Sequence, residues 1–475
     1  MRRTKIVCTI GPASSATSVL KDMITAGMDV ARLNFSHGTF EEHKALIEHI
    51  RQASKEIGKP IAMMQDLPGL KLRIGNMGNG GVEVSRGEKI ILAPRPFIDK
   101  AYKVIPAAIA GVMQSLEKGL PIFISDGSLE LSIEEVSHDA VYCTVKNAGT
   151  INAGQGINIP NLKGDISAVT PEDIDMLHFG VKEGVDYIAL SFIRSARDVK
   201  RFRDIIMASE TGAIDSIKII AKIEKPEALE NFDEILEASD AIMIARGDLG
   251  IESPIEHLPI IQKEIIHKCL LASKPVITAT QMLLSMVESP RPTRSEVSDI
   301  ANAVVDHTDA VMLSEETARG KYPVEAVGMM ARIIEQTEAS PYDDLDPQSV
   351  LGPNQALDSS IVYTACNLAK KVGAKAIFVA SLSGDTARVI SKFRPETLII
   401  VATHSEKVRC QISLSWGVVP LHVPVCRTVD ELIRKSIESM KKNGLAKSGD
   451  RIVIVAGQPV GESGNSNMIK IHQFI

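Results

Sequence analysis

Residues 219–224 read Ile-Ile-Ala-Lys-Ile-Glu and residues 241–248 read Ala-Ile-Met-Ile-Ala-Arg-Gly-Asp, and these two stretches decide the fold. Continuous apolar runs of this kind are typical of strands that are buried on both faces of a parallel sheet. Each run ends in charged side chains, which a closed core excludes unless they are paired. A single run of this type would indicate an ordinary buried ion pair. Two runs with the same pattern favour a functional site at the strand ends.

Similar runs recur along the chain and alternate with stretches that have helical periodicity. They lie at residues 4–10, 29–34, 61–66, 186–192, 217–223, 240–245, 275–280 and 309–313. Alternating strands and helices predict a parallel sheet. Eight strands, each followed by a helix, are the number found in a closed (β/α)₈ TIM barrel. We therefore predict an α/β fold with such a barrel.

The barrel pattern is interrupted once and then followed by a second pattern. Roughly 100 residues separate the third run from the fourth, far more than a crossover requires. Gly-rich, alternating sequence there predicts a small β domain over residues 70–166, inserted at the active end of the barrel like a lid. The barrel itself is expected at residues 1–69 and 167–345. New strand-like runs after residue 345 predict a separate regulatory α/β domain over residues 346–475.

The composition excludes several functional classes. The 475-residue chain has a net charge of −6, with acidic and basic residues interspersed, and 4% aromatic residues. These values give no reason to expect nucleic acid or an anionic membrane as a partner. No apolar run approaches the roughly 20 residues of a membrane span. The absence of a signal-like N-terminus and of paired cysteines predicts a cytoplasmic enzyme.

The ends of the predicted strands carry the groups that could do chemistry, because active sites of TIM barrels lie at the carboxyl ends of the strands. Lys222 and Glu224 share a strand face, since they are two residues apart. Glu224 and Asp248 offer hard oxygen ligands that suit Mg²⁺ or Mn²⁺ rather than Zn²⁺. Arg32 offers a planar fork for phosphate or carboxylate. Gly247 allows close approach of the backbone to a substrate.

Five stretches in chain order are similar to the sequences of pyruvate kinases: residues 4–14, 32–38, 221–224, 245–252 and 279–283. Together they extend over the whole predicted barrel. The resemblance implies that phosphoenolpyruvate transfers its phosphoryl group to ADP, giving pyruvate and ATP in the last step of glycolysis. It also implies a homotetramer and a requirement for Mg²⁺ or Mn²⁺.

The resemblance assigns roles to the residues around the phosphoryl group. Lys222 would stabilise charge on the transferring group and on the enolate oxygen, and Glu224 and Asp248 would hold Mg²⁺. The amides of Gly247 and Asp248, with Thr280, would hold the substrate carboxylate. Thr280 would also assist protonation of the enolate, together with water. Lys222, Thr280 and Arg32 are the catalytic residues in this assignment.

The resemblance also assigns phosphate contacts to Arg32, as a substrate-binding residue, and to Arg73, and it places Arg73, Asn34 and His37 on the nucleotide side. For His37, a role in capping or packing is the alternative. These residues follow the second and third predicted strands.

A monovalent-cation site is also implied, because many pyruvate kinases use K⁺. The matching ligands are the side chains of Asn34, Ser36 and Asp66 and the carbonyl of Leu67. This chain has Lys71 where many relatives have Glu, and an ammonium there could take the place of K⁺. We therefore predict that K⁺ is not required. The alternative is that Lys71 points to solvent and K⁺ binds as usual.

The predicted C-terminal domain holds a candidate effector loop between a strand and a helix. Ser381, Ser383, Gly384 and Thr386 offer hydroxyls and N–H groups at a helix start, where phosphate binds well. The family resemblance points to a phosphorylated sugar or a nucleotide as the effector. A simple helix N-cap is the alternative.

Two other functions are alternatives to the kinase. One is another barrel enzyme that handles phosphoenolpyruvate or pyruvate, such as a lyase, but it would not need the inserted domain, Arg73 or the C-terminal domain. The other is a catalytically retired sensor of sugar phosphates. Loss of Lys222 or of a metal ligand would have indicated a sensor, and none of them is lost.

Overall fold

A computed structural model describes most of the chain: residues 2–70, 72–78, 80–95, 98–125, 127–160, 162, 169–209, 217–351, 357–426, 428–457 and 467–474. Within these ranges, no helix combines the length and the apolar character needed to cross a bilayer.

Eight parallel strands close into a barrel, as the sequence predicts. They are β1 (Lys5–Ile10), β2 (Val30–Asn34), β3 (Ala62–Leu67), β4 (Tyr187–Leu190), β5 (Lys218–Ile223), β6 (Ala241–Ala245), β7 (Val276–Ala279) and β8 (Ala310–Leu313). Each strand pairs with its neighbours in chain order, and β8 pairs with β1 to complete the ring. Each of the eight predicted runs overlaps one of these strands.

Alternating side chains of the barrel strands build two apolar layers, since successive residues of a strand point to opposite faces. In β1, Ile6 and Cys8 pack outward against the helices. Val7, between them, points into the barrel and packs there with Val30 and Ala62 of the next strands. The barrel is therefore a filled core, and only its two ends are available for a site.

The helices of the barrel layer follow the strands in turn. Their bounds are Thr17–Ala26, Phe40–Ile57, Pro171–Glu183, Ala196–Ser209, Pro226–Glu230, Phe232–Ala238, Arg246–Glu252, Leu258–Leu271, Arg294–Val305, Glu315–Ala318 and Pro323–Glu338, with short 3₁₀ turns at Ile255–His257, Leu284–Val287 and Pro341–Asp343. Three of them begin with capping boxes at Thr39, Thr170 and Thr293. These boxes satisfy the first N–H groups of each helix.

The inserted domain leaves the barrel after β3, at the carboxyl end of that strand. Seven of its strands form one sheet: Leu72–Arg73, Gly156–Asn158, Pro121–Ile124, Leu129–Val136, Val141–Val145, Lys89–Ala93 and Lys103–Pro106. Val82–Val84 and Gly149–Ile151 form a second pair, and Ala110–Ser115 is a 3₁₀ turn. The domain has an apolar core of its own. Among the residues described, one hydrogen bond joins it to the barrel, from Asn158 Nδ2 to Glu252 Oε1 (3.4 Å).

The C-terminal domain is a five-stranded sheet with helices. Its strands, in spatial order, are Val418–His422, Leu398–Thr403, Ala376–Ala380, Arg451–Ala456 and Met468–Gln473, of which the last is antiparallel. Its helices are Leu357–Lys371, Asp385–Lys392, Glu406–Gln411 and Val429–Lys442, and Ile412–Leu414 is a 3₁₀ turn.

This domain closes the amino end of the barrel. Leu414 packs into the apolar cluster inside the barrel. Tyr187 Oη donates to the carbonyl of Gln411 (2.6 Å), and Lys5 Nζ donates to the carbonyl of Val418 (2.8 Å). The opposite end, where the charged strand ends lie, is thereby left for the site.

Asp186, just before β4, should make stability depend on pH. Its carboxylate accepts a hydrogen bond from Met63 N (2.7 Å). Burial raises the pKa of Asp186 from 3.8 to about 7, although Lys407 and Arg51 act in the opposite direction. The folded chain thus binds this proton more tightly than the unfolded chain. The stabilising effect is complete below pH 3.8 and is lost as the pH rises through 7.

We expect the free energy of unfolding of Asp186→Asn to increase relative to that of the wild type as the pH rises over this window. The difference should grow by on the order of 3 kcal/mol. Urea unfolding at a series of pH values measures it, with the exposed Asp22→Asn as control. Parallel pH profiles of wild type and Asp186→Asn would contradict the role of this group.

Candidate active site

The ammonium of Lys222 lies at the centre of the charged end of the barrel. The residue is at the end of β5 and only 9% exposed. Its Nζ is 2.8 Å from Ser191 Oγ, 2.8 Å from Glu224 Oε1 and 3.3 Å from Asp66 Oδ1. Burial by itself lowers the pKa of Lys222, but the two carboxylates raise it above its ordinary value. Lys222 is therefore a fixed positive charge and not a proton acceptor.

Asp66, at the end of β3, links this lysine to Arg32. Its carboxylate is 2% exposed, and Oδ2 accepts from Arg32 Nε at 2.6 Å. Arg32 Nη1 also donates to Thr9 Oγ1 (2.8 Å). Burial works to raise the pKa of Asp66, but Lys222 and Arg32 hold it below its ordinary value. The ends of β1, β2, β3 and β5 are thus joined in one charged network.

Glu224 directs the two oxygens of its carboxylate to different partners. Oε1 contacts Lys222, and Oε2 accepts from the backbone N–H of Phe192 (2.7 Å). Phe192 adopts a left-handed backbone conformation with φ 57°. Burial raises the pKa of Glu224 despite Lys222, and Asp248 adds to the rise. A carboxylate that is 1% exposed in this setting is suited to a bound cation, which would offset the cost of its charge.

The carboxylates at this end of the barrel fit a magnesium ion that is coordinated partly by the protein and partly by a substrate. Asp248 lies, half-buried, in the first turn of the helix Arg246–Glu252 that follows β6. Within the described ranges, no group of three or more His, Cys, Asp or Glu side chains is arranged to hold a metal on its own. Mg²⁺ typically keeps water ligands and binds one or two carboxylates together with substrate phosphate. Two carboxylates, from Glu224 and Asp248, meet that requirement.

Thr280 and Gly247 are in contact beside these groups. Thr280 Oγ1 accepts from the N–H of Gly247 (2.8 Å) and donates to the carbonyl of Ala279 (2.6 Å). The backbone of Thr280 is left-handed, with φ 72°, which is unfavourable for a β-branched residue. Arg246 supports it through a hydrogen bond from Nη2 to the Thr280 carbonyl (2.9 Å), and Asp299 holds Arg246 through two bonds of 2.7 Å.

The residues predicted to contact the nucleotide lie in two places. Asn34, at the end of β2, lies opposite Asp66 in the sheet and accepts a hydrogen bond from the N–H of Ser36 through Oδ1 (3.2 Å). His37 is exposed, and its carbonyl is 2.8 Å from His43 Nε2. Arg73 lies on the inserted domain, where Nη1 donates to the carbonyl of Gly154 (3.1 Å).

The predicted ligands of a monovalent cation are also at the ends of β2 and β3. The carbonyl of Leu67 accepts from Ser191 Oγ (2.7 Å), and Asp66 is engaged by Arg32 and Lys222. Lys71 lies outside the described residues. The dispensability of K⁺ therefore stays a prediction.

The candidate effector loop forms a turn at the start of the helix Asp385–Lys392. Gly384 has φ 83°, and its N–H donates to Ser381 Oγ (3.0 Å). Ser383 Oγ donates to Asp385 Oδ2 (2.5 Å), and Asp385 also pairs with Arg388. Thr386 lies in the first turn of the helix. A carboxylate thus accompanies the hydroxyls in this loop.

Three contributors to this arrangement do not follow from the sequence. Ser191 stands at the end of the fourth predicted run, but a single hydroxyl has no pattern that distinguishes it. Asp66 was predicted only as a cation ligand and not as the partner of Lys222. Asp299, which holds Arg246, is on the distant helix Arg294–Val305, so no local signal could have found it.

Comparisons with known proteins agree with this geometry. The family described as "Pyruvate kinase, barrel domain" matches residues 1–327, and "Pyruvate kinase, alpha/beta domain" matches residues 359–472. A pyruvate kinase of Geobacillus stearothermophilus is 43% identical, and one of Sporosarcina psychrophila is 42% identical. Both alignments cover 99% of this chain and 80% of the relative.

Among solved structures, a pyruvate kinase from Cryptosporidium parvum superposes with a TM-score of 0.91 and is 36% identical. The match covers 100% of this chain and 96% of that one. Fold, sequence and domain plan agree over the whole length. The chain therefore belongs to the pyruvate kinase family.

Proposed function

We propose that this chain transfers the phosphoryl group of phosphoenolpyruvate to ADP, giving pyruvate and ATP. The observation that carries this proposal is the buried Lys222 ammonium, fixed between Ser191, Glu224 and Asp66. A protein that had lost catalysis and only sensed a ligand would not need a buried cation and two buried carboxylates at the strand ends. Buried charges cost free energy unless they are used or fully paired.

The direct test is an assay of the purified protein with phosphoenolpyruvate, ADP and Mg²⁺. Pyruvate should form, and omission of ADP should stop its formation. Pyruvate formation that continues without ADP would favour the alternative of a lyase or hydrolase. No pyruvate under any condition would favour the sensor.

Lys222 acts by electrostatics. Phosphoryl transfer places negative charge on the transferring group and on the oxygen that leaves, and catalysis depends mainly on positioning and on stabilisation of that charge. An ammonium that is held by three oxygens needs no reorganisation when the charge develops. Arg32 contributes a second cation, which Asp66 and Thr9 hold at the neighbouring strand ends for contact with phosphate oxygens.

We assign the divalent cation, Mg²⁺ or Mn²⁺, to Glu224 and Asp248. When bound, such a cation would act as a Lewis acid toward the phosphoryl group. Gly247, Asp248 and Thr280 form the pocket for the substrate carboxylate. A carboxylate there would replace Thr280 Oγ1 as the acceptor of the Gly247 N–H, and the threonine hydroxyl would have to turn from the carbonyl of Ala279 to donate to the substrate side. With water, that hydroxyl then assists protonation of the enolate.

The nucleotide is assigned to Asn34 and His37 on the barrel and to Arg73 on the inserted domain. Arg73 is bonded to Gly154 within its own domain, which holds its guanidinium on the inserted domain. Among the described residues, Asn158 of the inserted domain contacts Glu252 of the barrel, which also pairs with Lys225.

We propose that Lys71 makes K⁺ dispensable. Activity with Mg²⁺ in a K⁺-free buffer should be nearly the same as after addition of K⁺. Lys71→Glu is the matched variant, and it should create a dependence on K⁺, because the ammonium that takes the place of the ion is gone. A wild-type rate that is negligible without K⁺ and restored by it would contradict the proposal.

We further assign the loop with Ser381, Ser383, Gly384 and Thr386 to a phosphorylated sugar or a nucleotide as effector, in a cytoplasmic homotetramer. Ser383→Asp should abolish activation by sugar phosphates and leave the basal rate unchanged, since a second carboxylate beside Asp385 repels the phosphate. Activation curves of the two proteins measure this. Unchanged activation would remove the loop from consideration.

A further inference from the structure

A second concave surface lies at the amino end of the barrel, away from the active site. It is a cavity of about 540 Å³ between the barrel and the C-terminal domain. The barrel contributes the end of the helix Phe40–Ile57 and the segments that lead into β3 and β4. The C-terminal domain contributes the helix Glu406–Gln411. Its volume is within the usual range for small-molecule sites.

The cavity has an excess of positive charge. Five cationic residues line it, namely Arg51, Lys55, Lys59, Lys407 and Arg409, against the two acids Asp186 and Glu406. Such a concentration of one sign in a concave site with low-dielectric walls attracts counter-ions.

Two of the five cations are already paired with carboxylates. Glu406 is 2.9 Å from Arg409, and Asp29, outside the cavity, is 2.8 Å from Lys59. Of the other three, Arg51 is bonded to a backbone carbonyl, and Lys407 and Arg51 both act on Asp186, whose pKa they lower. Burial nevertheless raises the pKa of Asp186 to about 7, so that this carboxyl is only partly ionised near neutrality.

An unpaired donor also lies here. Arg409 Nε is buried and has no hydrogen-bond partner among the residues described. A buried donor without a partner costs free energy, and an oxyanion is the acceptor that a guanidinium binds best. Apolar side chains of Ile61 and Met63 form another part of the wall, which suits an organic ligand rather than a bare ion.

The simpler reading is that Lys55 only complements the dipole at the end of its helix, where a cation is favourable. That reading accounts for Lys55 but not for Arg51, one turn earlier. It also does not account for Lys407 and Arg409, which the other domain supplies.

We propose that this cavity binds a small organic dianion, either a phosphate monoester or a dicarboxylate, which bridges the barrel and the C-terminal domain. The bound dianion joins Arg51 and Lys55 on one side to Lys407 and Arg409 on the other. It therefore stabilises the docked arrangement of the two domains by binding only the folded chain.

The test is thermal unfolding of the full-length protein at increasing inorganic phosphate or, separately, succinate, with sodium chloride at matched ionic strength as the reference. We expect the midpoint to rise with at least one dianion and not with chloride. A response to phosphate assigns the site to phosphate monoesters, and a response to succinate assigns it to dicarboxylates.

The double variant Arg51→Gln/Lys55→Gln locates the effect, because both side chains are exposed and their loss should leave the fold intact. Its apparent affinity for the dianion should fall at least about tenfold, which corresponds to about 1.4 kcal/mol. Lys200→Gln is the matched control, since it removes an exposed cation from another cavity between the barrel and the C-terminal domain and should keep the wild-type response. A double variant that responds like the wild type, or no response to either dianion, would overturn the proposal.

Discussion

Lys222→Met is expected to abolish turnover while phosphoenolpyruvate and the divalent cation still bind. Methionine has nearly the shape of lysine but removes the charge that Ser191, Glu224 and Asp66 hold in place. The lost interaction belongs to the transition state, so kcat falls and the binding of substrate changes little. Removal of one preorganised electrostatic group lowers kcat by about a thousandfold.

The measurement combines steady-state kinetics with calorimetric titration of phosphoenolpyruvate and Mn²⁺. Removing a buried cation also destabilises the fold, because the carboxylates of Asp66 and Glu224 lose their partner. Lys225→Met is the matched control. Lys225 is equally buried and pairs with Glu252, outside the network of Lys222. Lys225→Met should destabilise the fold to a comparable extent but lower kcat much less than Lys222→Met does. An equal loss of kcat in both variants would count against a special role for Lys222.

Glu224→Gln is expected to remove the divalent cation. Glutamine keeps the size of the side chain and the acceptor for the N–H of Phe192, but it lacks the negative charge that a metal ion requires. We expect the affinity for Mn²⁺ to fall at least about a hundredfold and turnover to fall with it. Mn²⁺ binding is followed by electron paramagnetic resonance without substrate, so that the result does not depend on activity.

Glu316→Gln provides the control for this experiment. Glu316 is also a buried carboxylate at a strand end, after β8, and it accepts hydrogen bonds from the N–H groups of Leu283 (3.0 Å) and Ser314 (2.7 Å). It is not among the proposed metal ligands, so its variant should bind Mn²⁺ as the wild type does. Equal Mn²⁺ affinity of wild type and Glu224→Gln would exclude Glu224 as a ligand.

The barrel could be predicted from the sequence because each of its strands can be recognised from a short run of neighbouring residues. A run buried on both faces must be apolar, and its end can be recognised from the first charged residue that follows the apolar ones, as at Lys222 and Arg246. The positions of the strand ends then follow from the closed, parallel arrangement, which brings Asn34 opposite Asp66 and the Lys222 ammonium close to Asp66.

Contacts between distant segments could not be predicted in this way. The support of Thr280 by Arg246 and Asp299 depends on how one helix packs beside β6 and β7. The bond of Arg73 to Gly154 depends on the pairing of strands within the inserted domain. The packing of Leu414 inside the barrel depends on docking of a separate domain. None of these leaves a pattern in the residues nearby.

The central claim is phosphoryl transfer from phosphoenolpyruvate to ADP, and the fate of the phosphorus atom tests it most directly. Phosphoenolpyruvate with labelled phosphorus is incubated with the protein, ADP and Mg²⁺, and the products are separated. We expect the label to appear in the terminal phosphate of ATP, and ATP and pyruvate to form in equal amounts. Label in inorganic phosphate, with pyruvate but no ATP, would contradict it.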